Sequence, residues 1–151
     1  ETITAYENKN EIVQMARDNI DGLVFGRVDF SESLGVGRDG IHSDEVTDKV
    51  LEVASLCKDN NLDLVVGGAV SSDSIQVLKK INEVHLTRFE TRKVVFTSEI
   101  IESNFLKDGL VNAVHFELLW LKNKKEYYSV IEKEDDKRIK MLNDRWNILK
   151  D

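Results

Sequence analysis

Glu1 and Asp29 stand 28 positions apart, and both carry the oxygen donors that a hard metal ion takes. Asp29 comes three residues after the run Gly22-Leu23-Val24-Phe25-Gly26. Leu23, Val24 and Phe25 read as a buried strand, and Gly26 stops it. In α/β sheets and barrels, functional sites are built at the carboxyl ends of the strands. The spacing matches one βα repeat, so Glu1 is expected to end a preceding strand. Both carboxylates then lie at the same end of parallel neighbours about 4.8 Å apart. Two carboxylates with open positions suit Mg²⁺ or Mn²⁺, which keep water or substrate oxygens among their ligands. A plainer reading stays open: Asp29 caps the turn that follows, and Glu1 is a solvated terminus.

Other residues that could do chemistry are few. Arg88, Glu90, Arg92 and Lys93 fall at or just past a later strand, where they either bind an anionic group or form a structural ion-pair network. His85 lies within that strand and reads as a packed histidine. His42 lies in the loop after Asp29, where it is either a plain loop residue or touches a ligand, and His115 falls on a helix at the surface or an interface. Gly67-Gly68-Ala69 either makes room for a ligand or simply turns the chain. No zinc-spaced His/Cys cluster, phosphate-binding loop or dinucleotide fingerprint is present.

The elements that must position these residues alternate. Residues 6–18 predict a helix with Ile12, Met15 and Ala16 on one face. A strand follows at 22–26, and residues 30–42, with Gly35, Gly37 and Gly40, predict loop or short turns. Ser43 is a suitable N-cap for a helix bearing Val46, Val50, Val53, Ala54 and Cys57. Residues 62–66 predict a second strand, Ser71 or Ser72 caps a helix with Ile75, Leu78 and Ile81, and residues 84–89 predict a third strand. This alternation implies βα units and a parallel sheet. Beyond it, residues 98–107 predict a helix, Asp108-Gly109 a break, and Val111, Val114, Leu118 and Leu121 a second helical stripe. Asn123 is placed as the cap of a final helix, where Ile139, Leu142, Trp146 and Leu149 form a narrow packing seam.

Composition bounds the function. The 151 residues suit one core, with 41% apolar and 32% charged residues. The net charge of −7 argues against a nonspecific nucleic-acid binder or a partner on an anionic membrane. No apolar run approaches the length of a membrane span. The single cysteine, Cys57, fits a reducing, cytoplasmic setting. There is no proline at all. A first residue other than Met, and only three expected strands with open edges, lead us to expect part of a larger α/β unit.

The stretches "ETITAYEN", "EIVQMA" and "IDGLVFGRVDFSESLG", with "VVGGAVSSDSI" and "HLTRFETRKVVF" further on, resemble the HpcH/HpaI aldolase and citrate lyase β family. The resemblance covers Glu1 to about Phe96. It implies the C-terminal half of a (β/α)₈ barrel over residues 1–96, with residues 97–151 as a helical extension for packing or oligomerisation. Glu1 would end the fifth barrel strand and Asp29 would follow the sixth, with the seventh and eighth at 62–66 and 84–89. It implies Glu1 and Asp29 as metal ligands and Mg²⁺ or Mn²⁺ as cofactor. The substrate would be a 2-oxo acid, its carboxylate bound by the backbone amides of Val28 and Asp29, with Gly26 allowing close approach. Arg27 stands where the family pattern has proline, and would reshape the loop or add an anion contact. Arg88 and Arg92 would hold a distal anionic group. The reaction implied is carbon–carbon cleavage of a 4-hydroxy-2-oxo acid through a pyruvate enolate. The family's supporting Arg and His have no counterpart in this chain, so it should be nearly inactive alone. A citrate-lyase-like acyl-CoA lyase and a non-catalytic assembly unit are the alternatives. The partners expected are a small 2-oxo acid and further copies of the chain, joined through the C-terminal helices.

Overall fold

In the computed structural model, residues 1–150 are described. The short helices α1 (Ile3–Glu7) and α2 (Lys9–Ala16) lead into strand β1 (Gly22–Gly26). The break between α1 and α2 falls at Asn8, whose side-chain amide donates back to the Thr4 carbonyl at 2.9 Å. The chain then enters helix α3 (Arg27–Ser33) directly, followed by a 3₁₀ turn over Arg38–His42. The expected loop or short turns at 30–42 are thus corrected over residues 30–33, which are helical, while short turns do follow. Asp29 lies in the first turn of a helix, where a carboxylate suits the positive end of the helix dipole.

Helix α4 (Asp44–Asp59) begins as its sequence dictates. The Ser43 hydroxyl accepts from the Val46 amide at 3.3 Å, and Asp44 and Glu45 fill the first turn. Its Val46, Val50, Ala54 and Cys57 are buried. Strand β2 (Asp63–Gly67) follows, and Ser71 forms a reciprocal capping box with Ser74 ahead of α5 (Ile75–Val84). Strand β3 (Arg88–Glu90) is shorter than expected, since Val84 closes α5 and residues 85–87 connect. Strand β4 (Val95–Thr97) had no clear signal in the sequence.

The sheet order is β1-β2-β3-β4. β1, β2 and β3 are parallel, with Gly26 beside Gly67 and Val66 beside Phe89, while β4 returns antiparallel on β3. The described residues are therefore α/β with an open mixed sheet. An all-parallel barrel would place a parallel strand where β4 lies, and this is the departure from the expected half-barrel. Phe89 and Phe96 stack at 5.1 Å across the β3–β4 pair, a cross-strand contact that local sequence does not announce.

Phe25, Leu64, Val66 and Phe89 share the core with α4 and α5. Successive strand residues alternate faces, so Val24, Val65 and Arg88, aligned in register, belong to the other face. Val24 there is exposed. After a 3₁₀ turn at Ser98–Glu102, α6 runs unbroken from Leu106 to Lys150. Asp108-Gly109 does not interrupt it, and Asn123 is interior. The helix passes closely over Phe96 at Gly109, where a Cβ would lie 3.3 Å from Phe96 Cε1. By internal contacts the chain divides into a first unit, Glu1–Val114, and a second from His115 onward. No helix among the described residues is long and apolar enough to cross a membrane.

Candidate functional site

The parallel strands end in a row of small residues. Gly26 and Gly67 are paired at the carboxyl ends of β1 and β2, and two carboxylates occupy the space that side chains would fill. A Cβ on Gly26 would lie 3.0 Å from Glu1 Cγ and 3.1 Å from Glu1 Oε1. A Cβ on Gly67 would lie 3.2 Å from Glu90 Oε1. Glu1 and Glu90 therefore lie against adjacent strand ends, on the side of the sheet that carries Val24 and Val65. The strand-end glycines are what admit them. Asp29, itself exposed, follows in the first turn of α3. Glu90 was weighed in the sequence only as part of a basic cluster. The signal that points to it is Gly67 in the neighbouring strand, legible only once register is known.

The loop after β2 is shaped around the start of α3. Gly68 has φ +90°, and a Cβ there would meet the Val28 nitrogen at 2.6 Å and the Arg27 nitrogen at 2.9 Å. Ala69 is also left-handed, at φ 47°. Gly26, the N-cap residue of α3, supplies no side-chain hydrogen bond to the first-turn amides. Those amides lie among the groups that a helix leaves without internal partners.

Arg27 holds this arrangement from below. It is fully buried. Its Nε donates to the Gly67 carbonyl at 3.2 Å, and one terminal nitrogen donates to the Gly68 carbonyl at 2.7 Å and to Ser74 Oγ at 3.3 Å. Its other terminal nitrogen, Nη1, is buried with no hydrogen-bond partner. Burial lowers the guanidinium to about 10, so it remains charged at neutral pH. The side chain expected to touch a ligand is thus directed into the β2–α5 loop. His42 is held below its usual value, first by partial burial and then by the charge of Arg27, against a smaller opposing effect of Asp73.

The remaining expected residues do not gather here. Arg88 pairs with Asp63 at 2.7 Å. Asp63 opens β2, so this bridge lies toward the opposite end of the strand from Gly67. Arg92 is exposed in the β3–β4 turn, which Thr91 closes by accepting from the Val94 amide at 3.1 Å. His85 bonds the Leu62 carbonyl through Nε2 at 2.8 Å, and His115 is exposed on α6.

A groove along the free side of β1 is lined by Thr2, Ala5, Ile12, Val24 and Phe30, with Glu1 at its margin. Tyr6 borders it and donates to Glu52 Oε2. Burial first, and then this bond to Glu52, push the phenol up to about 12.

Among the described residues, no group of three or more His, Cys, Asp or Glu is gathered closely enough to hold a metal ion. The carboxylates lying against the strand ends are those of Glu1 and Glu90, with Asp29 in the first turn of α3; oxygen donors of this kind are the type a hard cation takes. No family model, curated protein or solved structure matches this chain.

Proposed function

We propose that this chain supplies the carboxylate-bearing part of a metal-dependent carbon–carbon lyase acting on a 2-oxo acid, related to the C-terminal half of an aldolase-type (β/α)₈ barrel. The observation that carries the reading is the position of Glu1. Its side chain lies on Gly26, three residues before Asp29, at the carboxyl end of a parallel strand. The resemblance of these residues to the aldolase family implies both carboxylates as ligands of Mg²⁺ or Mn²⁺. Bound there, such a cation acts as a Lewis acid toward the 2-oxo and carboxylate oxygens of the substrate.

The chain's own groups would do three things. Glu1 and Asp29 hold the cation. The first-turn amides of α3, Val28 and Asp29 among them, donate to the substrate carboxylate, since they carry no side-chain cap and sit at the positive end of the helix. Arg27 fixes the Gly67-Gly68 backbone so that no side chain crowds those amides. The uncovered apolar face at Val24 and the unpaired edge of β1 support further strands completing the sheet on that side. The antiparallel β4 marks how this architecture differs from an all-parallel barrel.

The test is Mn²⁺ binding by calorimetry or electron paramagnetic resonance on the full chain. Asp29→Asn should weaken binding by about tenfold or more, since it replaces a charged ligand. Equal binding by wild type and variant would remove the catalytic reading. Pyruvate release from a panel of 4-hydroxy-2-oxo acids, set against cleavage of acyl-CoA esters, separates an aldolase from a citrate-lyase-like enzyme. The chain alone should show little turnover, because the family's Arg and His have no counterpart in it.

A further inference from the structure

Helix α6 buries Leu106, Leu110 and Ala113. Beyond them it carries large apolar side chains that stay substantially exposed among the described residues, such as Leu118 at 46% and Trp146 at 65%. Helices in proteins draw most of their stability from burying one face, and an exposed apolar stripe of this extent marks an interaction surface.

One stripe keeps a strict step of four, then three, from Val114 to Trp146 along α6. It runs through Val114, Leu118 and Leu121 near one end and Ile139, Leu142 and Trp146 near the other. Between them the same spacing places Lys125, Tyr128, Glu132 and Asp135. This is a heptad seam with apolar ends and a charged centre. The seam also reads the same in reverse about Val130. Each apolar position at one end has an apolar position equally far away at the other, Lys125 is matched by Asp135, and Tyr128 by Glu132.

We propose that α6 pairs antiparallel with α6 of a second copy of this chain, centred on Val130. In that register Leu118 meets the partner's Leu142 and Leu121 meets the partner's Ile139. Lys125 faces the partner's Asp135, and the Tyr128 hydroxyl faces the partner's Glu132 carboxylate. The two-fold axis repeats each pair, so two Lys–Asp contacts form. A parallel pair would instead set Lys125, Glu132 and Asp135 each against its own copy, three like-charge layers in the interior. Charge complementarity therefore selects both the partner and its direction.

Sedimentation equilibrium of the full chain should show a dimer. Lys125→Asp should raise the dissociation constant by about tenfold or more, since the new carboxylate faces Asp135 twice. The double variant Lys125→Asp with Asp135→Lys should restore it. Circular dichroism confirms that each variant keeps its helix. Independently, a Leu121→Cys chain mixed with an Ile139→Cys chain should cross-link on mild oxidation, and neither should cross-link to itself. A chain that stays monomeric, a double variant as weak as the single one, or Leu121→Cys chains that cross-link to each other would each overturn the proposal. None of these outcomes depends on whether Glu1 and Asp29 bind a metal.

Discussion

At the scale of single residues, glycine does the positioning. Gly26 and Gly67 leave the space that Glu1 and Glu90 occupy, and Gly68 lets the β2–α5 loop pass against the start of α3. Gly68→Ala should therefore be costly on two counts, a left-handed φ and a Cβ driven against the Val28 nitrogen. We expect a loss of about 2–3 kcal/mol, read as a lower midpoint in urea unfolding. Gly35 is a control, since it is also left-handed but has open space around its missing Cβ. Gly35→Ala should cost about 1 kcal/mol. Arg27 shows what residue type alone leaves open. An arginine beside a carboxylate-bearing helix invites an anion-binding reading. Its atoms instead donate to two carbonyls and a serine in the loop, a destination set by the β1–β2 register.

At the scale of elements, local signals were strongest where a turn residue and an apolar period agreed. α4 is the clearest case, with Ser43 as cap and a buried stripe ending in Cys57. Ser43→Ala should cost about 1 kcal/mol, measured by thermal or urea unfolding, because the Val46 amide loses its acceptor. β1 and β2 were equally legible from short apolar runs closed by glycine. Three elements were not. α3 begins directly at the end of β1 without a connecting loop, so its helical character hides behind the glycines that follow. β4 is three residues long and exists through its pairing with β3 and the stacking of Phe96 on Phe89. Gly109 and Asn123 looked like helix boundaries, yet one glycine or asparagine costs a long helix only about 1 kcal/mol or less. Gly109 lies close against Phe96.

At the scale of the whole molecule, one core joins the sheet to α4, α5 and the start of α6. Cys57 lies fully inside it, and burial pushes its thiol up to about 11. Such a thiol is neither accessible nor ionised at neutral pH. Labelling by a thiol reagent at pH 8 should therefore be slow in the folded chain, rise steeply across the urea transition, and report opening of the core. Rapid labelling without denaturant would show that α4 detaches from the sheet on its own.

The sequence by itself determined the βα rhythm, the Ser43 cap, the buried stripe of α4 and the apolar periodicity of the C-terminal helix. These are properties of neighbours in the chain, carried by periodicity and turn chemistry. Tertiary structure alone decided that Glu90 lies beside Gly67, that Arg27 turns inward while Arg88 reaches Asp63, and that the sheet ends in an antiparallel strand. Each of those depends on strand register, which brings together residues far apart in sequence and leaves no periodic trace in either segment.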